Sequence, residues 1–352
     1  MKNKVLKVIF ASFGICAFLS SCSLFNNKTK VDGILISEHE LVLEPNNTHE
    51  FSFINSSENI KLESSNNQIL KVLSNYKVQG LKEGRATLTV TNLDNNTEDK
   101  CNVAVRYSSV ESTYSLGVAT IAHKGHHVEA IENTYEAFAE AGKRNFYGIE
   151  TDIHLTSDGH WICNHDNKVK GMSKNISECT LNEILEVNLS ENPEKIVRVC
   201  QFEDYINLCH AYNKHPVIEI KESTNKNQLE DIINILSEVG VVNEAIFISK
   251  LAAPLGTLYN IKEEKSYKYD IQMLTEGYGW QYVSEFINVS SQYEAINKEM
   301  IDSCAECGQY VAAWTVNDLD VATSLIDLGI KYLTTDVFEC SDQCIDKNLF
   351  GI

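Results

Sequence analysis

From residue 116 onward, apolar β-favouring runs alternate with amphipathic helical segments, and this alternation restricts the fold more than any other feature of the chain. Eight runs read as strands over about 237 residues: 118–123, 147–155, 217–221, 245–250, 269–274, 286–291, 310–316 and 332–336. Helical periodicity fills most of the gaps, as in 133–142, 202–212, 227–239, 297–308 and 319–329. Eight strands with helical crossovers predict an α/β fold, a TIM (β/α)8 barrel spanning 116–352. A doubly wound sheet is the alternative. The polar residues favour the barrel. His123, Glu150, Asp152, Glu219, Lys221, Trp314 and Asp336 lie within or at the C-terminal ends of five different strand runs, positions that converge on one mouth in a barrel.

Residues 31–107 follow a different grammar. Short, mostly alternating β runs at 31–36, 40–43, 50–53, 69–72, 86–90 and 101–105 are separated by turns containing Asn, Ser and Gly. That pattern predicts an all-β sandwich. The run from Lys77 to Val90 resembles the closing hairpin of bacterial Ig-like group 2 modules. The resemblance implies an Ig-like sandwich domain over 31–107, a spacer by expectation, with a cell-surface or glycan contact as its further expected role. No catalytic constellation shows in this stretch.

The first residues look like a processing signal. Lys2, Lys4 and Lys7 precede an apolar stretch at 8–19 that is short for a bilayer span. Leu19-Ser20-Ser21-Cys22 resembles a bacterial lipobox. It implies a lipoprotein signal peptide at 1–21, a lipidated Cys22, a tether at 22–30, and a protein anchored to the membrane of a bacterial cell envelope, facing outward. An ordinary secretory peptide or an uncleaved anchor would also carry such a stretch. The eleven cysteines are scattered, which suits core packing better than a disulfide scaffold. Cys304-Ala305-Glu306-Cys307 has the spacing for a disulfide or a metal, but no partner motif. A net charge of −19 with no basic stripe argues against nucleic acid as a partner.

The chemistry concentrates in two segments. Ala122-His123-Lys124-Gly125 is followed by Glu132-Asn133-Thr134, and Gly148-Ile149-Glu150-Thr151-Asp152 by Asp158-Gly159 and His165-Asp166. Glu150 and Asp152, two apart on a strand, share a face. Paired carboxylates there repel unless something offsets them, and oxygen ligands suit a divalent cation such as Ca²⁺ or Mg²⁺. Glu219 adds a third carboxylate inside an apolar strand, where burying it unpaired is costly. Lys221 shares its face and could hold a phosphate, or could form a Glu–Lys ion pair with no metal at all. His123 and His165, both at strand ends, can divide acid and base roles near neutral pH. His154 shares the face of Glu150 and Asp152 and is a candidate site contact. His126, His127, His160, His210 and His215 lack such context and read as structural or solvated.

Together with Leu155-Thr156-Ser157-Asp158-Gly159, Glu219-Ile220-Lys221, Ala313-Trp314-Thr315-Val316-Asn317 and Thr335-Asp336, these segments resemble the glycerophosphodiester phosphodiesterase family over about residues 116–340. The resemblance implies a TIM barrel that hydrolyses glycerophosphodiesters to sn-glycerol 3-phosphate and an alcohol, with a divalent metal cation. By motif, Glu150, Asp152 and Glu219 would ligate the metal, and His123 and His165 would be the catalytic acid–base pair. Lys124, Lys221, Trp314 and Glu132 would bind or shape the substrate site. Two departures stand out: Lys124 takes the place of the usual Arg, losing its bidentate fork, and Ile131 takes the place of a Pro. A phospholipase C- or D-like enzyme acting on intact lipids, or a non-catalytic surface adhesin, are the rival readings.

Overall fold

The computed structural model describes residues 33–56, 59–107 and 115–340. The expected signal peptide, Cys22 and the tether lie outside the described residues. Among those described, no helix is long and apolar enough to cross a membrane.

The eight barrel strands are β1 (Ala119–Ala122), β2 (Gly148–Leu155), β3 (His215–Ile220), β4 (Ile246–Ser249), β5 (Asp270–Thr275), β6 (Asn288–Gln292), β7 (Val311–Trp314) and β8 (Tyr332–Thr335). Each pairs in parallel with the next, and β1 pairs with both β2 and β8, which closes the sheet. The barrel reading therefore holds, and the doubly wound alternative falls. Helices α1 (Tyr135–Gly142), α2 (Phe202–Ala211), α3 (Lys226–Val239) and α4 (Ala252–Lys265) follow β1 to β4. A single turn, α5 (Trp280–Val283), follows β5, and α6 (Lys298–Glu306) and α7 (Leu319–Leu328) complete the outer layer.

The period of two on each strand sorts the side chains. On β3, Ile218 and Ile220 are buried among the helices, alongside Ile149 and Ile153 of β2. Each such burial contributes roughly 1.5–3 kcal/mol. The alternate residues turn inward. Ile121, Val217, Ile246, Ile248, Leu274 and Tyr332 form a small interior cluster of their own. The register sets Asp152 directly opposite Glu219, with Ile248 level with them. A strand that is apolar outside must therefore present its carboxylates to the interior, at the mouth.

After β2 the chain makes a hairpin with Trp161–Cys163, then an excursion that buries Ile162, Val169, Ile176 and Ile184 in a satellite core before Cys200–Gln201 pairs back on the hairpin.

The N-terminal residues form a four-stranded sheet, in the order Glu40–Leu43, Thr97–Val105, Gly84–Asn92 and Ile60–Ser64. A three-stranded sheet of Thr48–Glu50, Lys77–Gly80 and Leu70–Val72 accompanies it. Leu43, Leu88, Val90 and Val103 from the first sheet share one core with Leu70 and Val78 from the second. One expectation needs correcting. The run from Lys77 to Val90 is not a hairpin: its two strands belong to different sheets, and Gly84–Asn92 pairs instead with Thr97–Val105. The turn at 80–83 carries the chain from one sheet to the other.

The cysteine expectation is met among the described residues. All eight are free, and all but Cys307 are buried. Cys304 and Cys307 share neither a bond nor a metal-like cluster.

Candidate active site

Loops and strand ends around the barrel mouth assemble the site. At the end of β1, Lys124 and Gly125 both take left-handed backbone conformations, with φ of 53° and 80°. This turn aims the Lys124 amide inward, where it donates to Glu150 Oε2 at 2.7 Å. Gly125 is required here twice over. Its φ disfavours a side chain, and a Cβ would sit 2.7 Å from the Ala137 backbone in α1. The following Glu132-Asn133-Thr134 segment then divides three tasks. Thr134 caps α1 by accepting from the Ala137 amide. Asn133, buried, donates to Asp152 Oδ2 at 2.9 Å and accepts from Thr151 Oγ1 at 2.8 Å. Glu132 holds Lys124 Nζ at 3.3 Å.

Glu150, Asp152 and Glu219 each offer a carboxylate oxygen, and these atoms lie within 4.8 Å of one another. Lys221, one residue past β3, sets its ammonium 2.9 Å from both Asp152 Oδ1 and Glu219 Oε1. The Glu–Lys pair and the carboxylate cluster, posed as alternatives by the sequence, coexist. One lysine does not neutralise three buried carboxylates. Burial, then the charges of Asp152 and Glu219, push the Glu150 carboxyl well above its ordinary range. Burial and Asp152 push Glu219 up to about 7. Burial acts the same way on Asp152, but Lys221 and the Asn133 amide outweigh it and hold that group low. Burial opposes the Lys221 charge, yet its two carboxylate partners raise its pKa above the usual value. An all-oxygen set with surplus negative charge fits a hard divalent cation.

His123 donates from Nδ1 to Asp336 Oδ1 at 2.8 Å. Asp336 is itself fixed by Asn317, whose Nδ2 donates to Oδ2 and whose Oδ1 accepts from the Asp336 amide at 2.8 Å. His127 reaches the same Asp336 Oδ1 at 3.0 Å. Burial would raise the Asp336 carboxyl, but the two imidazoles and Asn317 hold it far below its ordinary value. His127 in turn is raised, chiefly by its hydrogen bond to Asp336. These two rings and Asp336 also form a compact His–His–carboxylate group, but N–H donation from both rings to one oxygen satisfies it without an ion.

His165 sits on the loop after the β2 hairpin, half exposed, with Nδ1 2.8 Å from Asp166 Oδ1. Two contacts hold that loop. The Asn164 amide donates to the Asp152 carbonyl at 2.9 Å. His154, buried, reaches the His165 carbonyl at 3.3 Å while its Nδ1 binds Glu222 at 2.7 Å.

A pocket of about 240 Å³ joins these parts. His123, Lys124, Glu150, Asp152, His165, Glu219, Lys221 and Trp314 all line it. The expected site residues of the barrel are thus at one mouth, except Glu132, which lies just outside and acts on Lys124, and the candidate contact His154, which lies behind the His165 loop. The Trp314 indole is fixed by donating to the Ser290 carbonyl at 3.0 Å.

Three residues escaped the sequence reading. Lys250 lines the pocket and lies 5.4 Å above the Trp314 ring. His127, read as structural or solvated, shares Asp336 with His123. Asn317, quoted only as part of a motif, orients that carboxylate. For Lys250 the end of β4 was a usable signal. For His127 there was none, because its partner is 209 residues away.

Residues 123–339 match the Glycerophosphoryl diester phosphodiesterase family. The chain belongs to this family. It is 25% identical over 231 residues to the glycerophosphodiester phosphodiesterase of Caldanaerobacter subterraneus, a match covering 61% of this chain and 93% of the relative. The barrel is similar to a glycerophosphodiester phosphodiesterase structure from Parabacteroides distasonis, with TM-score 0.56, 21% identity, and coverage of 63% of this chain and 94% of the other. It is equally similar to a phosphodiesterase of Oleispira antarctica solved in complex with the product sn-glycerol-3-phosphate, with TM-score 0.56, 18% identity, and coverage of 62% and 93%. As a glycerophosphodiester phosphodiesterase, the protein is a phosphoric diester hydrolase that uses a divalent metal, and its carboxylate cluster is chemically suited to one.

Proposed function

We propose that Glu150, Asp152 and Glu219 hold the divalent cation, Ca²⁺ or Mg²⁺, and that His123 and His165 are the acid–base pair that cleaves a glycerophosphodiester into sn-glycerol 3-phosphate and an alcohol. The observation that carries this reading is the meeting of both histidines, the three carboxylates and two lysines on one pocket of about 240 Å³.

When bound, the cation offsets phosphodiester charge and polarises phosphorus. The protein does the rest. Lys221, already within reach of the cluster, and Lys124 place positive charge where the phosphate oxygens lie. Trp314, held by Ser290 and flanked by Lys250, forms an apolar wall for the glycerol carbons. Asp336 keeps a proton on His123 Nδ1, which leaves Nε2 to exchange a proton with the substrate. His165 stands at the open side of the pocket, where it protonates the leaving oxygen or takes the proton of the nucleophile, a water or the substrate's own 2-hydroxyl. Glycerophosphocholine turnover with added Ca²⁺ or Mg²⁺, against an EDTA control and across other glycerophosphodiesters, tests the reading. No metal-dependent release of glycerol 3-phosphate from any of them would overturn it.

We also propose that residues 31–107 form an Ig-like spacer and that residues 1–21 are a lipoprotein signal peptide, with Cys22 lipidated at the outer face of a bacterial envelope membrane. What supports the spacer is the pair of sheets around one core. The lipobox-like Leu19-Ser20-Ser21-Cys22 supports the anchor. Labelling with radioactive palmitate, lost in Cys22→Ala, tests the second point.

A further inference from the structure

Two cavities meet at the ring of His165. The pocket with the carboxylates and Trp314 lies on one side. A groove of about 630 Å³ lies on the other, between the loop after β1 and the excursion after β2. His165 lines both cavities. An alcohol that leaves the smaller pocket past His165 enters the groove.

The walls of the groove are mostly polar, with Ile131, Leu189 and Val197 as apolar patches. Ser190 and Asn192 contribute a hydroxyl and an amide, while Asn133 and Asn164 line the groove with amides that donate to Asp152 and to the Asp166 and Lys168 carbonyls. Lys168 and Lys195 contribute donors, and neither makes an ion pair among the described residues. Glu129, Glu132, Asp166 and Glu191 contribute acceptors, with Glu132 paired to Lys124 and Glu191 to Lys170. The side that carries Asn192 is pre-shaped, since its Oδ1 accepts from the Glu194 amide at 3.0 Å and leaves its NH₂ available. Interleaved donors and acceptors match hydroxyl groups, each of which both donates and accepts. Apart from the His165 imidazole, the lining contains no aromatic ring. A quaternary ammonium is recognised by ring faces, so choline finds no cage here.

We propose that this groove is the leaving-alcohol subsite and that it selects polyhydroxylated alcohols, such as inositol, glycerol or a sugar, over choline. The inference rests on the hydrolase reading above and adds the class of alcohol to it. The metal-loaded protein should show a kcat/KM for glycerophosphoinositol at least about tenfold above that for glycerophosphocholine, the scale of discrimination that a few pocket contacts supply. In the triple variant Lys168→Ala, Asn192→Ala, Lys195→Ala, that ratio should fall to within about twofold of unity. A wild-type ratio at or below one, or a ratio unmoved by the triple substitution, overturns the proposal. Binding of free myo-inositol and of choline, followed by the His165 ring resonances, separates this failure from failure of the hydrolase reading. If no diester is turned over, an inositol response that choline lacks and the triple variant loses still upholds the groove. An equal response to both, or none to inositol, overturns it.

Discussion

His123 Nδ1 lies 2.8 Å from Asp336 Oδ1, a carboxylate 213 residues away that Asn317 holds on its far side. This contact fixes which ring nitrogen carries the proton, and so which one faces the pocket. An asparagine at 336 keeps the size but can turn an N–H toward Nδ1 and reverse the tautomer. Asp336→Asn should therefore lower kcat by roughly 10²-fold or more, by analogy with carboxylate–histidine pairs elsewhere, with a much smaller change in KM. Steady-state kinetics with saturating metal check this. A kcat within threefold of wild type would remove Asp336 from the mechanism.

His123→Ala and His165→Ala should each lower kcat by about 10²–10⁴. The two act on one proton-transfer sequence, so the double variant should lose far less than the product of the single losses. Single-turnover measurements are the check, since they isolate the chemical step. Near-wild-type rates in either single variant would mean that the acid–base pair has been misassigned.

Glu219 links the metal to pH. In the unfolded chain its carboxyl ionises at its ordinary value of about 4.3, whereas in the fold burial and Asp152 push it up to about 7. Between these values the unfolded chain has already lost a proton that native Glu219 keeps. Metal-free stability therefore falls as pH rises through that window and levels off above it. Cation binding needs the ionised form and releases that proton. The gain in Tm from Ca²⁺ or Mg²⁺ should then grow with pH from 5.5 to 7.5, by about 1.4 kcal/mol per pH unit where one proton competes, or about 3 °C. Calorimetry with metal and with EDTA measures it, and a pH-independent gain would contradict the coupling.

Lys124 stands where the family resemblance leads one to expect an arginine. Its ammonium is tied to Glu132 at 3.3 Å, which reduces the charge it presents to a phosphate. Lys124→Arg restores a bidentate fork and should lower KM for a glycerophosphodiester by about threefold to tenfold, with kcat little changed. The backbone contact to Glu150 does not depend on the side chain and should survive. An unchanged or raised KM would show that this position does not touch the phosphate.

Much of the barrel and its site could be read from the chain because the relevant signals are local. Alternation on β3 alone places Glu219 inside and Ile218 outside, and the two-residue spacing of Glu150 and Asp152 puts both carboxylates on one face. What could not be read depends on contacts between distant segments. His127 acquires its role only because the loop after β1 meets the end of β8 at Asp336. The crossing at residues 80–83 escaped notice because a turn between two β runs looks the same whether the strands pair or part. The seating of the N-terminal sheets on the barrel has no sequence signature, since it depends on single polar residues such as Glu83.

Glu83 offers a direct test of that seating. It is buried, at 6% exposure, and accepts hydrogen bonds from the phenols of Tyr135 on α1 and Tyr212 at the end of α2, the latter at 3.3 Å. Lys82 beside it pairs with Asp204 of α2, and Arg85 donates from Nε to the His210 carbonyl at 3.1 Å. Burial and the Glu83 charge raise the ionisation of both tyrosines well above the usual range, so they remain neutral donors. Glu83→Ala removes the shared acceptor and leaves the O–H donors of two partly buried phenols without it, at a cost of about 1–3 kcal/mol. Glu83→Gln keeps an acceptor of the same length and should lose less. For a chain of this size the alanine variant should melt several degrees lower, at about 2–4 °C per kcal/mol, and amide exchange should quicken around Tyr135 and Tyr212. Catalysis should persist at temperatures below the transition, because Glu83 touches none of the pocket residues. A Glu83→Ala protein that melts within about 1 °C of wild type would show that the N-terminal sheets rest on the barrel without stabilising it.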